Sequence, residues 1–236
     1  MRSAIEMASR SSIQALSVTR HLRLIWQDQA TRQFMQVAAL WELSGGTFAF
    51  EYTPDARHER FAPLAEFPEL DQLYLVDHLP AFFANRTMSP NRRSFAEYCD
   101  WLGIDDLPTP IEILARSGGG RSTDTFHVVE GFAPMHDRIN GSFFASGVRH
   151  VAGAQKRLQQ LHPGDLLHVR REPDNPANEL ALLLDAAPGE PIGYVPDWLL
   201  GDLQQLDLDS IQVTVERLNL AAPAHLQLRC TLVASI

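Results

Sequence analysis

The chain has 236 residues and carries 20 Lys+Arg against 29 Asp+Glu, a formal net charge of −9. Divided at Gly141 it holds 13 cations against 18 acids and then 7 against 11, so neither part is a basic module. That balance argues against a strong, sequence-independent grip on duplex nucleic acid, which rests on many Lys and Arg contacts to phosphate, and leaves room only for a local basic cleft. The length exceeds one typical domain and falls short of two average ones, so two small domains are expected.

Cys99 and Cys230 have no partner spacing, which suits reduced thiols in a cytoplasmic protein better than a disulfide framework. No run reaches the roughly 18 apolar residues of a membrane span. Residues 1–20 are Ser-rich and Arg-bearing without a continuous apolar stretch, and they read as a flexible tail.

In chain order, "HLRLIW" (21–26), "RQFMQVAALWEL" (32–43) and "TFAFEY" (47–52) are branched, aromatic and partly alternating, which predicts an antiparallel meander turning at "SGG" (44–46). From 71 to 86 the apolar period becomes helical, with Asp71 as N-cap and Pro80 as a kink or break. A second helix is expected over 91–103 between Asn91 and Gly103. A third, over 109–120, has Pro110 in its first turn and ends in a glycine loop leading to a strand at 124–131. Residues 131–141, "GFAPMHDRING", read as a linker. The remainder offers strands at "SFFASGVRHV", "DLLHVRRE", "LALLL", "PIGYVP", "IQVTVERLNL" and "HLQLRCTLV", with brief helices at "GAQKRLQQL" and "DWLLGDLQQL". The whole reads as α+β, an antiparallel sheet with short helices followed by a small β-barrel.

Chemical motifs are few. The "SGGGRST" loop (117–123) lacks the Lys-Ser/Thr pair and following helix of a phosphate-binding loop. The histidines show no metal-ligand spacing, and Asp207 and Asp209 alternate with leucines as a solvated face does. No nucleophile, base and oxyanion donor assemble, so the chain is expected to be a non-enzyme without cofactor or metal.

The stretch "RREPDNPANELAL" (170–182) crowds cations, acids, prolines and asparagines between two aliphatic runs. Together with "FFASGVRHVAG" (143–153) and "IGYVP" (192–196) it resembles the HIRAN domain, through Arg149, Gly153, Arg171, Glu172, Pro173, Asn175, Pro176, Ala181, Gly193, Tyr194 and Pro196 in order. The resemblance covers roughly 142–236. It implies a small barrel related to OB and SH3-like folds that binds single-stranded DNA at a free 3′ hydroxyl, as on fork-remodelling translocases. Arg149, His150, Arg170, Arg171, Asn175 and Asn178 are the nucleic-acid-binding residues that it and the local composition nominate. Three departures stand out: the family's stacking aromatic and hydroxyl-accepting aspartate after Asn-Pro are Ala177 and Asn178 here, and His150 takes an aromatic position. Weaker and less end-selective binding is expected.

Residues 21–130 resemble the N-terminal subdomain of HipA-type Ser/Thr kinases through Phe48, Phe50, Tyr52, Pro63, Leu64, Phe82, Phe83 and Asn85, without the nucleotide-binding lobe and catalytic aspartates. That resemblance implies a regulatory, antitoxin-like protein of a bacterial toxin-antitoxin-like system, docking on a separate HipA-like kinase and carrying a HIRAN module. The alternative is a DNA-end-binding protein of repair or replication with no kinase partner.

Overall fold

The computed structural model describes residues 17–104, 108–131, 133–135, 138–204 and 206–235. The chain divides after Gly131 into two compact units. No helix among the described residues is long and apolar enough to cross a membrane.

The first unit is an antiparallel sheet of β1 (Val18–Gln27), β2 (Phe34–Leu43), β3 (Phe48–Tyr52), β4 (Tyr74–Val76) and β5 (Phe126–Glu130), in the order β4-β3-β2-β1-β5. Residues 1–16 of the expected tail lie outside the described residues, and residues 18–20 already belong to β1, with Val18 opposite Leu43 and Arg20 opposite Glu42. The period-2 alternation of strands puts Leu22, Leu24 and Trp26 on one face. There they meet Phe50, Phe61, Phe67, Phe83, Ile111 and Leu114 in a continuous core. The Tyr52 hydroxyl donates to the Phe67 carbonyl at 2.9 Å and accepts from the Leu64 amide at 2.7 Å, pinning the connection to β4; burial pushes its phenol up to about 12.

Between β4 and β5 lie three short helices: α1 (Ala81–Ala84), α2 (Phe95–Leu102) and α3 (Pro110–Ser117). The helix expected over 71–86 is therefore mostly absent. Tyr74–Val76 pairs with β3, and Asp71 takes an ion pair with Arg57 rather than capping a helix. Pro80 starts α1 instead of kinking a longer helix, because a residue without an amide proton costs nothing where no helical acceptor precedes it. The second helix begins after Ser94, not Asn91, and stops at Gly103 with φ 70°. The third has the expected Pro110 start, with Thr109 Oγ1 accepting from the Glu112 amide at 3.3 Å.

The glycine loop that follows is folded over a buried guanidinium. Arg86 donates to the Gly119 carbonyl at 2.9 Å and to Asp124 at 2.5 Å, and its Cζ lies 4.2 Å from the Phe82 ring centroid. The loop closes a cation-π stack.

The second unit is one curled antiparallel sheet, a half-barrel. Its strands are β6 (Ala133–Met135), β7 (Arg138–Phe144), β8 (Leu166–Arg171), β9 (Leu182–Asp185), β10 (Pro191–Tyr194), β11 (Ile211–Leu218) and β12 (Leu228–Ser235), in the order β10-β9-β8-β11-β12-β7-β6. Helices α4 (Ala154–Leu158) and α5 (Asp197–Leu203) cap it. Pairing with β12 begins at Arg138, within the segment read as a linker. Just beyond β7, Ser146 and Tyr194 exchange two backbone hydrogen bonds of 2.9 Å, so the far edge strand β10 is drawn back to the β7 end. Phe143, Leu158, Leu167, Leu184, Ile192, Leu199, Val213, Leu228 and Leu232 fill the inside of the curl.

Candidate nucleic-acid interface

Outside the curl, directly paired residues line up across strands, and cross-strand neighbours share a face. Arg170 stands opposite Leu183, Leu183 opposite Tyr194, and Tyr194 opposite Ser146, giving a row on the face turned away from the core residues Leu182 and Leu184. The row ends at the 3-10 turn Val148–His150, which carries Arg149 and His150 into solvent. Gly147 begins that turn at φ 65°, and a Cβ there would sit 2.7 Å from Tyr194 Cδ2; only glycine lets the turn close on the ring.

Residues 172–181 close onto the other side of Tyr194. The Glu172 amide donates to the Ala181 carbonyl at 3.0 Å. Asn175 Oδ1 accepts from the amides of Ala177 at 2.9 Å and Asn178 at 3.2 Å, and its Nδ2 donates to Glu172 Oε2 at 2.6 Å. Asn178 Oδ1 accepts from the Leu180 amide at 3.0 Å, and its Nδ2 donates to Asp197 at 3.1 Å. Short amide side chains folding back on their own backbone are what Asn does best in a tight connection. Burial raises the Tyr194 phenol, reinforced by its hydrogen bond to Glu172 and opposed by Arg170 and Asn175, so the ring sits at the junction of turn, strand and guanidinium.

The six nominated residues therefore separate into groups. Arg149 and His150 are brought together, with Arg149 Nε donating to His150 Nε2 at 2.9 Å, while Arg170 shares a strand face with Leu183 and Tyr194. Arg171 falls on the opposite strand face from Arg170, because consecutive strand residues alternate. It pairs in register with the core residue Leu182 and is exposed at the strand end. Asn175 and Asn178 have their amides engaged within the turn and with Asp197, so they shape the surface rather than offer free donors.

Two further residues belong to this surface. Tyr194 stands in the quoted Ile-Gly-Tyr motif, but its central place is set by pairing with Ser146, 48 positions away, which no local pattern shows. His225 lies on the 3-10 turn Ala224–Leu226, where burial and then the Arg149 charge lower its pKa. Among the described residues no group of three acidic, His or Cys side chains is placed to hold a metal ion. Cys99 and Cys230 are both free and buried, and burial pushes both thiols up.

This geometry defines a small curled β-module with Arg149 and His150 exposed on one turn and Arg170 on the strand face shared by Tyr194. Residues 140–236 match the family model of the HIRAN domain, so this part of the chain is a HIRAN domain. Two solved structures are similar over 41% of the chain. One is the HIRAN domain of human HLTF, at 17% identity and a TM-score of 0.30 over 76% of that chain. The other is a protein from Lactobacillus plantarum, at 19% identity and a TM-score of 0.32 over 96% of that chain. No curated protein matches.

Proposed function

We propose that the HIRAN domain binds single-stranded DNA on the outer face of the curled sheet, with Arg149, His150 and Arg170 meeting phosphates around the Tyr194 ring. The role is binding, not catalysis. The observation that carries this reading is the clasp of Ser146 on Tyr194, which sets the turn bearing Arg149 and His150 against the strand of the Tyr194 ring, whose phenol also feels the Arg170 charge. Aromatic rings stack on any base, and guanidinium groups track the backbone, so that combination suits single strands. The same clasp supports closure of the half-barrel toward an OB or SH3-like barrel.

Affinity is modest, because the unit as a whole is acidic and position 177 has no ring to stack. Selectivity for a free 3′ hydroxyl is weak, because position 178 carries an amide already donating to Asp197. Fluorescence anisotropy with single-stranded oligonucleotides bearing 3′ hydroxyl or 3′ phosphate ends tests both points. Salt-sensitive binding with little difference between the ends is expected; no binding at low salt sinks the reading.

A second reading, docking of residues 21–130 on a HipA-like kinase, draws on the order of Phe48, Phe50, Tyr52, Phe82 and Phe83 in the sequence. Phe48, Phe50, Tyr52 and Phe83 are buried and Phe82 is packed against the same core, so the docking surface would have to come from other side chains. Co-purification of such a kinase from the native host tests it, and its repeated absence counts against it.

A further inference from the structure

Asp185 lies on β9 with its side chain 1% exposed. Its Oδ2 accepts from Arg170 Nε at 2.8 Å and from the Gly189 amide at 3.2 Å, while Oδ1 is buried with no hydrogen-bond partner among the described residues. A buried carboxylate with an unused oxygen is costly, and a stabilising ion pair ordinarily avoids it by meeting the guanidinium fork with both oxygens. The first unit contains that ordinary case: Asp28 takes Arg60 Nε on Oδ1 at 3.1 Å and Nη2 on Oδ2 at 2.6 Å. Among the described residues Arg170 is held differently, by its stem nitrogen alone, and its side chain is 46% exposed. The four N–H bonds of its two terminal amino groups stay available. A planar fork fixed at Nε and open at its tip is prepared for bidentate contact with a phosphate.

We infer that Asp185 is a positioning residue: it orders Arg170 beside Tyr194 so that the open fork grips one phosphodiester of a bound single strand. This rests on the nucleic-acid reading above. It also runs against a simple charge count, because removing Asp185 makes the unit less negative and on that ground alone would tighten DNA binding.

The test is anisotropy on the full-length protein with a fluorescent single-stranded oligonucleotide, comparing wild type with D185L, D185N, R170A and R170K. D185L, which removes the acceptor, and R170A are expected to weaken binding about tenfold, the scale of ordering one long side chain. D185N retains an acceptor for Nε and stays within about twofold of wild type by the same measure. In the free protein, the Arg170 Nε–H resonance, identified by its loss in R170A, is protected from exchange in wild type and D185N and loses protection in D185L. If D185L fails to fold, R170K keeps the charge on an exposed side chain but lacks the fork, and the same tenfold loss is expected. Wild-type affinity or better in D185L or R170K overturns the inference while leaving the nucleic-acid reading intact. Absence of wild-type binding at low salt overturns both.

Discussion

Ala177 stands exposed in the turn beside the interface, held by its amide to Asn175. Replacing it with Trp adds a stacking surface and leaves the backbone bond intact. Single-strand affinity is expected to rise roughly ten- to a hundredfold by anisotropy, the scale of one base stacked on an aromatic ring. Restoring an acid at 178 has the opposite character. N178D removes a donor to Asp197 and sets two carboxylates against each other, so the urea midpoint should fall by the equivalent of about 1 kcal/mol, and D197N in the same background should recover it. Gly147→Ala forces both a positive φ and a contact with the Tyr194 ring, for a cost of about 1–3 kcal/mol in chemical denaturation. At this scale the sequence nominated residue types, and the structure sets Arg149 beside His150 and Arg170 on the face of Leu183 and Tyr194. The sequence was less informative about their state. The engagement of Asn175 by Glu172, and of Asn178 by Asp197, depends on how the turn folds back and on a helix that starts 19 positions later.

At the scale of elements, the loop between β1 and β2 is organised by one carboxylate. Asp28 is almost fully buried, takes both nitrogens of the Arg60 pair, and accepts from Thr31 Oγ1 at 2.7 Å and the Ala30 amide at 3.2 Å. Hydrogen bonds from Arg60 and then Thr31 hold its carboxyl well below the ordinary aspartate value of 3.8. A carboxyl depressed in the folded state contributes stability that is present above its unfolded pKa and lost as pH falls toward the folded one. Wild-type protein should therefore lose stability as pH drops below about 3.8, and D28N should be weaker at neutral pH with that acid dependence reduced in thermal melts. The meander and the final strands were legible because alternation over five or more residues carries its own period. Residues 71–86 were not, because Tyr74–Val76 is too short to show alternation and Pro80 can begin a helix as well as break one. The start of β7 was hidden by Asn140 and Gly141, which read as punctuation yet pair with Val233 and Leu232.

For the whole molecule, charge sets the terms of the proposed binding. The part after Gly141 holds 7 Lys+Arg against 11 Asp+Glu, so few phosphate contacts act against a repulsive background. Each neutralised phosphate of a single strand contributes about −0.7 to the slope of log K against log salt, so two or three cations predict a slope of roughly −2. A titration from low to physiological salt reads it directly, and a slope near −5 or steeper would mean that cations elsewhere on the chain take part. The length suggests two small domains, and the chain divides after Gly131 into two compact units. The resemblance at 142–236 was carried by ordered motifs whose spacing survives in the fold, whereas the one seen at 21–130 was carried by aromatics that any well-filled core requires.

The bond pair between Ser146 and Tyr194 also has a kinetic meaning. It joins segments far apart in sequence at an edge of the sheet, and such long-range closures form late and open early, at less than the free energy of global unfolding. Because the proposed binding face is assembled on that clasp, it can open while β11 and β12 stay paired. Native-state amide exchange should find the Ser146 and Tyr194 amides exchanging faster than Val213 and Leu232. Saturating oligonucleotide should slow those two amides most, the ligand acting as a latch on the last part of the sheet to close.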